Sequence, residues 1–369
     1  MKNIFWCKNC LNMSTRPRIE FDDKGWCNAC VWSEEKKLID WKKRKEIFFN
    51  MANKSKTNKN YDCIVPLSGG KDGTYVSFKM KELGLNPLTV TIRPHMEKDL
   101  GIKNLNSFLS KSNLAHVHIT IPYEALRKIN RLGLVEKGSP YYGWLIAMHT
   151  AVIRLACDFN IGLIMWGEDG ELEYGGTTKN KNKFTYDLDY IKNEMIEGDY
   201  EKIIKASNLN DKELFFLKFP TKDEIKERKI LFSRWGYFEN WDSYRNYIFA
   251  KNNANLQEET IGNEGTFTNF AQNDQILFQL HTYLMYLKFG FGRATQDAGI
   301  EIRRGAMVRT QALNLVKLYD NSYPERFIDQ YLEYYKMSKK EFNEVLEKWT
   351  NKDLFEKRGD KWIPKFEVV

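Results

Sequence analysis

From Tyr61 onward, short apolar runs alternate with stretches whose apolar residues recur at helical spacing. "YDCIVPL" (61–67) predicts a strand, and Asp72 onward predicts a helix. "NPLTVTIRP" (86–94) predicts a second strand, "IKNLNSFLSKS" (102–112) a helix, and "AHVHITI" (115–121) a third strand. "YYGWLIAMHTAVIRLACDF" (141–159) predicts a long buried helix that leads to the strand "IGLIMWG" (161–167). Beyond a charged region (187–228), "KILFSRWGYF" (229–238) predicts one more strand. Strands separated by helices imply a parallel sheet covered on both faces. Such sheets bind ligands at the carboxyl ends of their strands, where the strand order reverses. Two glycine-rich stretches, 68–74 and 167–176, fall at those ends.

The flanks differ. "SEEKKLIDWKKRKEIF" (33–48) predicts one helix with Ser33 as its N-cap, and "NMANKSKTNKN" (50–60) reads as a linker. The loop 170–186 is rich in Gly, Lys and Asn and has the length of a lid. From about residue 270, four segments show helical periodicity: 274–290, 306–320, 325–337 and 339–349. The expected units are 1–49, a cysteine-bearing module with a helix; 50–60, a linker; 61–265, an α/β nucleotide domain; and 266–369, a helical carboxyl-terminal domain.

Composition changes this picture little. The 369 residues are 42% hydrophobic and 29% charged, as in a globular protein. No run approaches the roughly 18 apolar residues that span a bilayer, and "MKNIFWCKNC" lacks a signal-peptide pattern. A cytoplasmic protein with no membrane partner is therefore expected. A net charge of +8 fits an anionic ligand, although solubility accounts for it equally well.

Four of the six cysteines form two C-x-x-C pairs, Cys7/Cys10 and Cys27/Cys30, at the separation of a C-x2-C-x15–20-C-x2-C zinc site. Two disulfides are the alternative, but they require an oxidising compartment. With Cys at all four positions, the expected zinc is structural, with no coordination position open for catalysis.

The stretch Ser68-Gly69-Gly70-Lys71-Asp72-Gly73-Thr74 carries the chemistry. Backbone N–H groups at a helix N-terminus cradle anions, and Ser68, Lys71 and Thr74 add donors. Asp72 is an odd neighbour for phosphate unless it holds magnesium, for which a carboxylate is a natural ligand. The stretch is neither a Walker A loop nor a dinucleotide fingerprint. It resembles the S-G-G-x-D-[ST] loop of the PP-loop ATP pyrophosphatases, with Gly73-Thr74 where many members have Ser. That resemblance implies an adenine-nucleotide alpha hydrolase-like, Rossmann-like domain that cleaves ATP between its α and β phosphates.

Together with the four-Cys module, "WGEDGELEYGG" (166–176) and "KFGFGRATQDAGIEIRRGAMVR" (288–309) resemble the N-acetyl sugar amidotransferases of bacterial O-antigen and pseudaminic acid synthesis. The resemblance runs from Cys7 to about Asp320. It implies a cytoplasmic enzyme with a zinc-ribbon-like module that uses ATP and magnesium. Such an enzyme adenylates the N-acetyl group of an activated sugar and replaces its oxygen with nitrogen, giving an acetamidino group. It also implies ammonia delivered by separate proteins resembling the glutaminase and cyclase subunits of imidazole glycerol phosphate synthase. The cysteines agree, because the common kinds of glutaminase rely on a Cys nucleophile. Met1-Lys2 begins the chain, four thiols are assigned to zinc, and Cys63 and Cys157 lie in apolar segments.

Around the loop, Glu168 and Asp169 stand nearest the end of the 161–167 strand, with Glu171 and Glu173 behind them. They are candidates for holding magnesium, binding the sugar or taking a proton from ammonia; a solvated acidic loop is the plainer reading. Lys71 and Asp72 complete the catalytic set. Arg293, Asp297 and Glu301 recur at i, i+4 and i+8, and Arg303 and Arg304 follow. These five are candidates for contacting substrate, with a helical ion-pair ladder as the alternative. His95, just past the second strand, is a candidate neighbour of adenine, whereas His116 and His118 read as packing or surface residues. The rival functions are a PP-loop tRNA thiolase, which needs a reactive thiol outside the zinc site, and a zinc-ribbon nucleic-acid binder, which leaves the loop unexplained.

Overall fold

The computed structural model describes residues 4–369, so Met1 and Lys2 lie outside it. Helix α1 (Asn28–Glu35) starts at Cys27, and α2 (Trp41–Lys54) follows a 3-10 turn. The single helix expected over 33–48 is thus two, and its cap is not Ser33. The Asp40 side chain accepts a hydrogen bond from the Lys43 N–H at 3.0 Å and starts a fresh helix after the extended Ile39. Helix α2 also runs on into the stretch read as a linker, burying Phe48, Met51 and Ala52 against the sheet. Beyond it, the Thr57 and Asn58 side chains donate to the carbonyls of Asn160 and Phe159.

The central unit then runs β1 (Cys63–Pro66), α3 (Lys71–Glu82), β2 (Pro87–Ile92), α4 (Asp99–Ser112), β3 (His116–Ile119), α5 (Tyr123–Lys137), α6 (Tyr142–Phe159) and β4 (Leu163–Trp166). It continues through α7 (Gly170–Tyr174), β5 (Thr185–Tyr186), α8 (Leu188–Tyr190), α9 (Tyr200–Ala206), α10 (Lys222–Glu227), β6 (Leu231–Arg234) and α11 (Ser243–Ala254). The sheet order is β3-β2-β1-β4-β6-β5, parallel except for the edge strand β5. Alternation along β1 sends Ile64 to the α5–α6 face and Cys63 and Val65 to the α2–α3 face. Strand β1 pairs with β2 on one side and β4 on the other, so the order reverses there. The 187–228 region folds as short helices whose Ile191, Tyr200, Ile203 and Leu217 join the core beside α6.

The carboxyl-terminal region holds α12 (Leu277–Phe289), α13 (Arg293–Arg303), α14 (Arg309–Tyr319), α15 (Ile328–Tyr335) and α16 (Lys339–Trp349). It packs on the α/β unit through Leu134 of α5. Two details differ from the helical expectation. Gln275 forms an isolated antiparallel bridge with Glu97: Lys98 N–H donates to the Asp274 carbonyl and Ile276 N–H to that of Met96, so α12 begins only at Leu277. A hairpin of β7 (Phe355–Arg358) and β8 (Lys361–Pro364) ends the region, turning at Gly359 with φ +59°. No helix among the described residues is long and apolar enough to cross a membrane.

Candidate active site

The glycine loop joins β1 to α3 at the reversal point. Gly69 has φ +84°, and a Cβ there would lie 2.5 Å from the Leu105 backbone. Only glycine fits that position. Gly70 differs: it is the extended N-cap of α3, and a Cβ there would meet nothing nearer than Ser68 Oγ at 3.7 Å. The open space above it is where an anion would sit on the helix N-terminus. Lys71 is buried and ion-paired to Asp72 Oδ2, while Asp72 Oδ1 accepts from Asn246 Nδ2 at 3.0 Å. Thr74 Oγ1 is buried without a partner among the described residues.

Two cavities open onto the loop, and a third adjoins the first. The first, about 380 Å³, is floored by Ser68–Gly73 and Glu168 and walled by Tyr141, Trp144, His281, Arg293 and Gln296. The second, about 430 Å³, lies at the ends of β2 and β3 and is lined by Thr91, Arg93, His118 and Thr120. It shares Ser68, Gly101 and Asp274 with the first. The third, about 230 Å³, is reached past Glu168 and Tyr174, which line both it and the first cavity.

The structure sorts the candidate residues. Glu168 faces the first cavity, and its carboxyl is pushed up to about 7 by burial and by the neighbouring Asp72. Asp169, expected beside it, is not in that cavity. It caps α7 by accepting from Glu171 N–H and is ion-paired to buried Arg234 at 2.9 Å. The reason is local: the turn into α7 sends adjacent side chains to opposite sides. Glu171 pairs with Arg18 and Glu173 with Lys36.

Of the five residues expected to contact substrate, Arg293 alone lines the first cavity. Asp297 holds it, with Asp297 Oδ1 2.8 Å from Arg293 Nε, and is itself fixed by the hydroxyls of Thr266 and Thr268. Glu301 pairs with Arg304 instead, while Arg303 and Arg304 line the third cavity. The i, i+4, i+8 row therefore holds one cavity-lining arginine and the aspartate paired with it. His95 is not in the second cavity: it stacks on Tyr123 and bonds Tyr334, because the chain turns away after β2. His118, read as packing or surface, lines that cavity.

The four thiols of Cys7, Cys10, Cys27 and Cys30 are buried and within 4.8 Å of one another. The Cys7–Cys30 and Cys10–Cys27 sulfur separations are 3.8 and 3.6 Å. Tetrahedral Zn–S bonds of about 2.3 Å place sulfurs about 3.8 Å apart, so the cluster could hold zinc and contains no disulfide. The N–H groups of Cys10, Asn12 and Cys27 point at its sulfurs. The module also braces the cavities. Asn12 Nδ2 lies 3.3 Å from Cys27 Sγ and 3.0 Å from the Tyr174 carbonyl, and Ile302 of α13 packs against the cysteine cluster.

Sequence reasoning missed Asn246, Asp274, Tyr141, Trp144, Tyr174, His281 and Gln296. Asp274 lines both large cavities, with its carboxyl raised to about 6 chiefly by burial. Tyr174 and Gln296 lie within the motifs at 166–176 and 288–309, which was a usable signal. Asn246 and Asp274 reach the loop only through tertiary folding.

Residues 264–367 match the family model described as "LPS biosynthesis protein WbpG-like, C-terminal domain". No curated relative matches the chain. Among solved structures, the chain is similar to a predicted subunit of tRNA methyltransferase from Methanocaldococcus jannaschii, at 14% identity and TM-score 0.30, covering 60% of this chain and 85% of that one. It is also similar to NMN synthetase from Francisella tularensis, at 15% identity and TM-score 0.28, covering 55% and 94%.

Proposed function

We propose, on the match of residues 264–367 to the WbpG-like carboxyl-terminal domain model, that the chain is an ATP-dependent, AMP-forming amidotransferase acting on an activated N-acetyl sugar in bacterial surface-glycan synthesis. The observation that carries this is the makeup of the first cavity. The phosphate-type loop forms one side, and Arg293 and Gln296, from the domain the family model matches, form the other. In this reading the adenosine lies in the cavity at the ends of β2 and β3. The phosphates cross Ser68 and Gly70, and the sugar enters between Tyr141, Trp144 and Arg293.

The amide oxygen attacks the α-phosphorus. The bond to pyrophosphate breaks and the amide N–H proton is lost, leaving an O-adenylyl imidate. Ammonia adds to the imidoyl carbon, the C–O bond breaks with its electron pair going to AMP, and an amidinium remains. Positioning and charge stabilisation do most of the work. The α3 N-terminus, Ser68 and Lys71 steady the leaving pyrophosphate. Asp72 is the carboxylate available to magnesium, which would neutralise phosphate charge there, and Asn246 holds it in place. Arg293, fixed by Asp297, suits the anionic carrier of the sugar.

All six thiols are buried; burial raises Cys63 and pushes Cys157 up to about 11. Neither lines the cavities described, which disfavours thiolation. The same burial leaves the chain without a glutaminase nucleophile, so its nitrogen is supplied as ammonia by separate glutaminase and cyclase-like proteins. The test is incubation with ATP, ammonium and a panel of nucleotide-linked N-acetyl sugars, read by mass spectrometry. AMP, pyrophosphate and a product in which NH replaces O are expected. ADP and orthophosphate, or ATP consumption that ignores every sugar, would overturn the reading.

A further inference from the structure

The reaction proposed above needs three reactants, and the two large cavities account for ATP and sugar. The third cavity is smaller, about 230 Å³, and approaches the reacting centre from the side of β4 and α7. Its charged lining is nearly all spoken for. Glu173 pairs with Lys36 at 2.9 Å, Lys37 with Glu34 at 2.6 Å, and Arg304 with Glu301 at 2.6 Å. Asp242 caps α11 through the N–H groups of Tyr244 and Arg245. Arg303 donates to the Glu173 carbonyl. Glu168 makes no ion pair among the described residues, although Asp169, Glu171 and Glu173 beyond it each do. It stands where the third cavity meets the first, together with Tyr174, and Trp241 lines the third cavity.

A carboxyl group without an ion-pair partner, beside the aromatic side chain of Trp241, suits a small cation with N–H donors, and the cavity is too small for a second sugar nucleotide. We propose that this third cavity is the binding and entry site for ammonium, held beside Glu168, Tyr174 and Trp241 until it loses one proton to water and adds, as ammonia, to the imidoyl carbon. The inference rests on the amidotransferase reading for its reaction, but not for the site itself.

The experiment uses the full chain and two cavity-filling variants, Ser33→Trp and Ser243→Trp, whose wild-type side chains line the third cavity and neither of the others. With ammonium chloride as donor, KM for ammonium should rise at least tenfold in both, while KM for ATP and for the sugar stays within twofold. An unchanged ammonium KM, or a rise shared by ATP and sugar, would overturn the proposal. A second arm needs no turnover. Crystals of the full chain soaked in thallium(I) acetate, whose cation is close to ammonium in size, should show an anomalous peak beside Glu168 that disappears in Ser243→Trp. Its absence from the wild-type cavity would likewise overturn the proposal. If wild type forms no amidine but thallium binds there, the function reading fails and the site stands.

Discussion

Gly69 and Gly70 are neighbours with opposite demands. At Gly69 both the backbone angle and the Leu105 backbone exclude a side chain, whereas Gly70 has an ordinary backbone and open space. Gly69→Val should therefore lower stability by about 3 kcal/mol or more through strain and overpacking. Gly70→Val should fold within about 1 kcal/mol of wild type yet weaken ATP turnover roughly a hundredfold, because its methyl groups occupy the phosphate position. Thermal unfolding alongside an AMP-release assay separates the two. A Gly70→Val protein that turns over ATP normally would remove the phosphates from this loop. The motif itself was legible, because strand, glycines and helix are contiguous in sequence. The side chains that complete it were not: Asp72 is held by Asn246 across 174 positions, and nothing local marks that partner.

At the scale of elements, the parallel strands and the long helix α6 were readable because their apolar runs are continuous. The helix break at Ile39 was missed because the charged residues of 33–48 suit one helix as well as two, and only the Asp40 cap decides. The hairpin at 355–364 had a signal, a Gly-Asp turn between short runs, which the preceding helical pattern obscured. The cysteine spacing announced a zinc-type module but not its attachment to α7 through Asn12 and to α13 through Ile302. That attachment has a consequence. Stripping the metal, or Cys10→Ser, should cost on the order of 3 kcal/mol or more and should also raise amide exchange across 170–177 and 293–303. Hydrogen exchange with and without chelator, alongside zinc analysis, tests it. Unchanged protection in those two segments would mean that the module does not brace the cavities.

For the molecule as a whole, two regions far apart in sequence make one site. The α/β unit supplies the loop and Glu168, and the carboxyl-terminal region supplies Asp274, His281, Arg293 and Gln296. Of the residues expected at the site, Glu168 and Arg293 line the first cavity, whereas Asp169, Glu301 and His95 do not. Periodicity and strand ends locate a residue on an element but do not say which way the turn after it points. The central claim is that the acetamido oxygen attacks the α-phosphorus of ATP, and the path of that oxygen tests it most directly. With a sugar carrying ¹⁸O in its acetyl carbonyl, plus ammonium and ATP, the AMP formed should be heavier by one ¹⁸O and the pyrophosphate unlabelled. Unlabelled AMP accompanying amidine, or ¹⁸O in pyrophosphate or orthophosphate, would contradict the account.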